Sequence, residues 1–209
     1  MRKLLLLACG MLWLSGCIAP KQKEISTAYD FGAAVSSLKQ PATKLKRPKH
    51  AISIQIANVV LPLWLENPAI HYRLAYSNPD KLDTYADSRW VASPAILLTQ
   101  QIRNIVSNDT PYFVVENSVH ARADYILQVE LEEFVQIFDR IDSSRVVVSL
   151  RASLIDRGSR ILLSQKRFSS QLASQTADAA GAVSAFSTVS QQLIRQVVNW
   201  IQLEQVAGF

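Results

Sequence analysis

The hydrophobic period of the chain changes several times, and each change marks an element. Over residues 51–60, Ile52, Ile54 and Ile56 alternate with Ser53, Gln55 and Ala57. A period of two predicts a half-buried strand. Residues 70–76 predict a second strand, Ser77-Asn78-Pro79-Asp80 a turn, and residues 81–86 the returning hairpin partner. Ser93-Pro94 predicts a helix start, with serine capping the free amides and proline at the first helical position, where a missing N–H costs nothing. Leu98, Ile102, Ile105 and Val106 then fall on one face, and the helix is expected to stop near Asn108-Asp109, ahead of Pro111. Residues 112–116 predict a short strand.

From Ala123 the pattern is a meander. Tyr125, Leu127, Val129 and Leu131 point one way, and Gln128, Glu130 and Glu132 the other. After an expected turn over 139–144, Val146, Val148, Leu150, Ala152 and Leu154 alternate with Arg145, Ser149, Arg151 and Ser153. Asp156-Arg157-Gly158-Ser159 turns the chain again, and residues 160–172 give a third strand. The chain then switches to helical spacing over 178–205, where Val183, Phe186, Val189, Leu193, Val197, Trp200 and Ile201 form one stripe. A sheet that is apolar on one face and two amphipathic helices are solved together by packing the helices on that face. The predicted fold class is α+β: a two-layer sandwich of a mostly antiparallel sheet with two helices on one side. No internal repeat is present.

The N-terminus is organised differently. Arg2 and Lys3 precede an apolar run over 4–14, followed by Leu14-Ser15-Gly16-Cys17. The run is too short to span a bilayer, which needs about 20 apolar residues, and it reads as a secretory signal. The four residues ending at Cys17 resemble the lipobox of bacterial lipoproteins. That resemblance implies cleavage before Cys17, its lipidation, and export. The expected organisation is a signal peptide over 1–16, a lipidated cysteine and tether over 17–27, and one domain over 28–209. Cys9 leaves with the signal and Cys17 is blocked by lipid, so the mature chain of 193 residues has no thiol and no disulfide. A domain of that length buries roughly 70% of its unfolded surface and can stand on its core alone.

Charge changes the picture little. Loss of Arg2 and Lys3 lowers the formal net charge from +5 to +3. Lys21, Lys23, Lys39, Lys44, Lys46, Arg47 and Lys49 face only Glu24 and Asp30 between residues 18 and 50. Beside a lipid anchor such a stretch is drawn to anionic lipid by about 1 kcal/mol per cation; the plainer reading is a solvated linker. No basic helix and no aromatic–basic motif points to nucleic acid.

The order of elements, with Tyr29-Asp30-Phe31-Gly32, Tyr72-Arg73-Leu74-Ala75-Tyr76, Tyr85-Ala86-Asp87-Ser88-Arg89-Trp90 and Ser93-Pro94, resembles the ABC-type transport auxiliary lipoprotein family. These proteins, including the PqiC type, accompany bacterial lipid-trafficking systems with MCE-domain proteins. The resemblance implies a periplasm-facing accessory that docks an MCE-domain partner, with a homo-oligomeric ring as a suitable docking collar. Because Ile18, not aspartate, follows the cysteine, it also implies the outer membrane.

Catalytic sets are missing from the pattern. His50, His71 and His120 have no metal-ligand spacing, and neither a nucleophile elbow nor a phosphate-cradling glycine loop occurs. Glu130 and Glu132 share a strand face and are candidates for acid–base work, but cross-strand pairing with Arg145 and Arg151 explains all four more simply. Tyr85, Arg89 and Trp90 are candidates to line a contact groove, and Phe186 and Trp200 to face a lipid or partner from the last helix; in each case the simpler role is packing. No metal or cofactor is expected beyond the N-terminal lipid. The expected function is a binding and docking lipoprotein, not an enzyme. A lipid carrier holding an acyl chain between sheet and helices, or an envelope hydrolase, are the alternatives.

Overall fold

The computed structural model describes residues 26–31, 52–115 and 122–206, with side chains to Glu204. Cys17, the expected tether up to residue 25, Gly32, His50 and His120 lie outside the described residues, while Thr27, expected at the end of the tether, already belongs to the first strand. The strands are β1 (Thr27–Tyr29), β2 (Ser53–Ile56), β3 (Ala69–Leu74), β4 (Asn78–Trp90), β5 (Phe113–Val115), β6 (Tyr125–Arg140), β7 (Ser143–Asp156) and β8 (Leu162–Ala173). The helices are α1 (Pro94–Asp109) and α2 (Ala179–Val206), with a short 3-10 turn at Leu63–Leu65.

The alternation from Tyr125 onward produces the frame of the molecule. β6 pairs with β7 along its whole length, and β7 with β8, all antiparallel. The expected turn over 139–144 is tighter than the sequence suggested: β6 runs to Arg140 and β7 restarts at Ser143. The other edge of β6 is shared. Its first half takes β2 in parallel, at Ile54 with Tyr125 and Ile56 with Leu127, and β5 continues outward from β2. Its second half takes β3 in parallel, at Tyr72 with Gln136, and β4 and β1 follow. The sheet of eight strands is therefore antiparallel in its long ladders and parallel in four short ones.

One residue alters the pattern of β6. Leu131 pairs with Leu150, but the next pair is Glu133 with Ser149, so Glu132 is the extra residue of a bulge. An inserted residue shifts the period-two alternation by one position. Leu127, Val129 and Leu131 face the core before it, and Phe134, Gln136 and Phe138 after it.

Both helices cover the apolar face. α2 lies along β7 and β8, and α1 packs beside α2 over β2 and β5. Pro94 takes the first turn of α1 as expected; Ser93 takes the N-cap position without a side-chain bond. Thr99 instead ties α1 to the sheet, donating to the Ala95 carbonyl at 2.7 Å and accepting from the Val59 amide at 2.9 Å. α2 is capped by Asp178, whose Oδ1 accepts from the Gly181 amide and the Thr176 hydroxyl, both at 2.8 Å. No helix among the described residues is long and apolar enough to cross a membrane.

Candidate functional site

Trp90, Phe186 and Trp200 lie in the core. Trp90 is 0% exposed and Phe186 1%. Phe134 stacks on Phe186 with ring centroids 4.1 Å apart, and Trp90 meets both edge-on or tilted. Phe31 closes the group from the N-terminal segment, 5.3 Å from Trp90. Trp200 packs against Phe168 of β8 and donates from Nε1 to Glu204 at 2.8 Å. A contact role for these three aromatics is therefore corrected: burial of such rings is the largest apolar gain the chain has, and the helix stripe spends it inside. Arg89 alone of the five is exposed, and Tyr85 is half-buried.

The Tyr85 hydroxyl donates to Gln136 Oε1 at 2.8 Å, and Gln136 Nε2 donates to Ser144 Oγ at 2.8 Å and to the Asp178 carbonyl at 3.3 Å. Gln136 is fully buried. One amide thus joins β4, β6, β7 and the start of α2. Burial, with the Asp178 charge nearby, pushes the Tyr85 phenol up to about 12, so it acts as a neutral donor. Nothing in the hydrophobic pattern marks this node, because the bulge that turns Gln136 inward has no sequence signature.

The outer face of the sheet carries the main charged cluster. Arg151 sits opposite Glu130 on β6 and opposite Arg167 on β8. Two cations facing each other across a ladder repel. The bulge places Glu132 where it binds both: Arg167 Nε lies 2.7 Å from its carboxylate, Arg151 pairs with its other oxygen, and Ser149 donates to it at 3.2 Å. Arg151 also reaches Glu130 at 3.6 Å. Desolvation alone would raise the Glu132 pKa, but the hydrogen bonds and charges of Arg167 and Arg151 outweigh it and hold the carboxyl below its ordinary range. A carboxylate kept ionised by two committed guanidiniums is a poor proton donor at neutral pH. Cross-strand pairing thus accounts for Glu130, Glu132 and Arg151 as expected. Arg145 departs from that reading, pairing with Asp139, and Arg167 was missed because its strand partner only becomes visible with the register.

Two open grooves flank these features. One of about 730 Å³ runs between the cluster and the Val60-Leu61-Pro62 segment. The other, of about 520 Å³, lies between Tyr29-Asp30-Phe31 and the Val183–Thr188 face of α2. The layer between sheet and helices is filled by side chains such as Leu127, Leu150, Leu193 and the aromatic group. His71 is buried edge-on against Trp64. Burial lowers its pKa, with the Trp64 backbone opposing. Among the described residues no group of three or more His, Cys, Asp or Glu is placed to hold a metal ion.

Residues 36–198 match the family described as the ABC-type transport auxiliary lipoprotein component. The chain belongs to this family. Its architecture is similar to that of protein XCC0632 from Xanthomonas campestris, at 17% identity and a TM-score of 0.67, covering 78% of this chain and 90% of that one. It is also similar to a second solved structure of an uncharacterized protein, at 17% identity and a TM-score of 0.59, covering 75% of this chain and 96% of the other. Likeness at this identity concerns the fold alone. No curated protein matches the chain. Family membership makes the protein an auxiliary lipoprotein of a transport system, and the matched segment takes in both helices and the whole meander up to Val198.

Proposed function

We propose that this auxiliary lipoprotein is anchored through Cys17 in the outer membrane, faces the periplasm, and docks an MCE-domain protein of an ABC-linked lipid transport system. The observation that carries the reading is the family match over residues 36–198. Two features of the domain support a binding role over a chemical one. Its buried titratable and aromatic groups are engaged in packing or in structural pairs, as Glu132, Tyr85 and Trp90 are. The grooves beside Val60 and Tyr29 are open on the surface, which suits a protein partner better than a reacting small molecule.

The acyl-carrier alternative has less support, because the space between sheet and helices is occupied by side chains. A carried lipid would lie instead in an open surface groove such as those beside Val60 or Tyr29. Native mass spectrometry of protein extracted from membranes decides between the two, with bound lipid favouring the carrier. Co-purification of the lipoprotein with the MCE-domain protein encoded beside it tests docking directly. Retention of the partner at stoichiometric levels is the expected result, and absence of any association removes the docking reading.

A further inference from the structure

The chain enters the fold with a defined direction. β1 runs parallel to β4, pairing Thr27 with Ser88, and β4 starts at Asn78 at the end of the sheet where β3 and β6 finish. The N-terminal end of β1 therefore points toward that end. Two turns project there side by side: the β3–β4 turn with Tyr76 and the β6–β7 turn with Ile141, joined through the Ala75 amide and the Phe138 carbonyl at 2.9 Å. Ile141 is 80% exposed and Tyr76 47%. Nearby charges are balanced, with Arg145 paired to Asp139 and Lys81 to Asp83.

We propose that this end, led by Ile141 and Tyr76, rests on the bilayer that holds the anchor. The inference depends on lipidation at Cys17. Thr27 sits level with Ile70, near position 134 of β6, so about seven strand residues, or about 23 Å, separate it from the tip at Ile141. Ten residues from Cys17 to Thr27 reach at most about 35 Å. That reach, comparable to the gap, holds the Ile141 end beside the membrane that carries the anchor. The opposite end also exposes apolar residues, Ile161 and Leu162. Contact there would need the chain to reverse before Thr27 and stretch almost fully. β4 carries Asp80, Lys81, Asp83, Asp87 and Arg89 and exposes no large apolar side chain that could enter a bilayer. An isoleucine and an interfacial tyrosine are weak membrane ligands alone; the tether supplies the effective concentration that lets them orient the domain.

The mature chain has no cysteine besides Cys17, so Ile141→Cys, Leu162→Cys and Asp87→Cys each give one labelling site on the surface. The full lipoprotein, labelled with an environment-sensitive dye, is reconstituted in phosphatidylethanolamine–phosphatidylglycerol vesicles with brominated acyl chains. The expected result is a blue shift and loss of emission at position 141, with neither at 162 or 87. Quenching at 162 or 87 but not at 141 overturns the proposal. So does a blue shift at 141 without bromine quenching, which marks burial against protein. If the vesicles float with the protein attached yet no site is quenched, the anchor stands and the contact fails. If the protein does not float with them, the anchor reading itself fails, and the contact with it.

Discussion

Ser187 on α2 donates its hydroxyl to the carbonyl of Phe31 at 2.7 Å, a bond across 156 positions of chain. It fixes the segment that follows the tether to the first turns of the last helix, while the Phe31 ring enters the Trp90–Phe134–Phe186 group. Phe31→Ala is expected to cost about 3–5 kcal/mol, as large-to-small changes of buried aromatics do. Ser187→Ala should cost about 1 kcal/mol. Urea unfolding of the two variants checks both, and equal small effects would show that the segment is only draped on the core.

Glu132 is expected to be the most sensitive position on the outer face. Glu132→Gln leaves Arg151 and Arg167 facing each other without their shared carboxylate, and should lower stability by about 1–2 kcal/mol near neutral pH. Its pKa is depressed in the fold, so its contribution is present above the ordinary value of 4.5 and is lost as pH falls through the lower folded value. Unfolding curves across that acidic range should be shallower for the variant than for the parent protein.

His71 acts in the same direction at a higher pH. Its folded pKa is below the ordinary 6.5, so the folded state favours the neutral ring. Stability is unaffected by this group above about 6.5 and falls as pH drops from there to the folded value, where the unfolded chain binds the extra proton. His71→Phe should remove that slope while keeping the contact with Trp64. Thermal melts of the two proteins at pH 7.5 and pH 5.5 measure the difference.

Asp178 and Gly181 together set the start of α2. Asp178→Ala removes a cap and should cost about 1 kcal/mol. Gly181→Ala would gain helix propensity in an open helix. Here a Cβ would stand 2.2 Å from the Thr176 carbonyl oxygen and 2.8 Å from its amide nitrogen, both backbone atoms. A loss of about 1–3 kcal/mol is expected instead, and a stabilised Gly181→Ala variant would show that the turn before α2 can give way.

The turn between β7 and β8 separates a glycine from the place that needs one. Arg160 has φ of 60°, in the left-handed region, whereas a Cβ on Gly158 would meet nothing nearer than Asp156 Oδ1 at 3.5 Å. Arg160→Gly should raise stability by up to about 1 kcal/mol, and Gly158→Ala should be tolerated. Denaturant midpoints rank the two.

The sequence by itself determined the elements and the layer they form, because a period of two or of 3.6 is a local property that burial enforces at every step. Leu127, Val129 and Leu131, the alternate residues from Val146 to Leu154, and the stripe from Phe186 to Ile201 face the core as their spacing required, while Val183 sits half-buried at the rim. Family membership was legible in the same way, from local motifs in a fixed order. Register, and everything built on it, was decided only by the tertiary structure. The bulge at Glu132, the sharing of one edge of β6 between β2 and β3, the Arg167 partner and the inward turn of Gln136 depend on pairings between residues far apart in the chain. The aromatics were ambiguous for a related reason. A tryptophan such as Trp90 suits a core and a contact surface equally well, and only the arrival of Phe31 from the N-terminus and Phe186 from the last helix settles which side it faces.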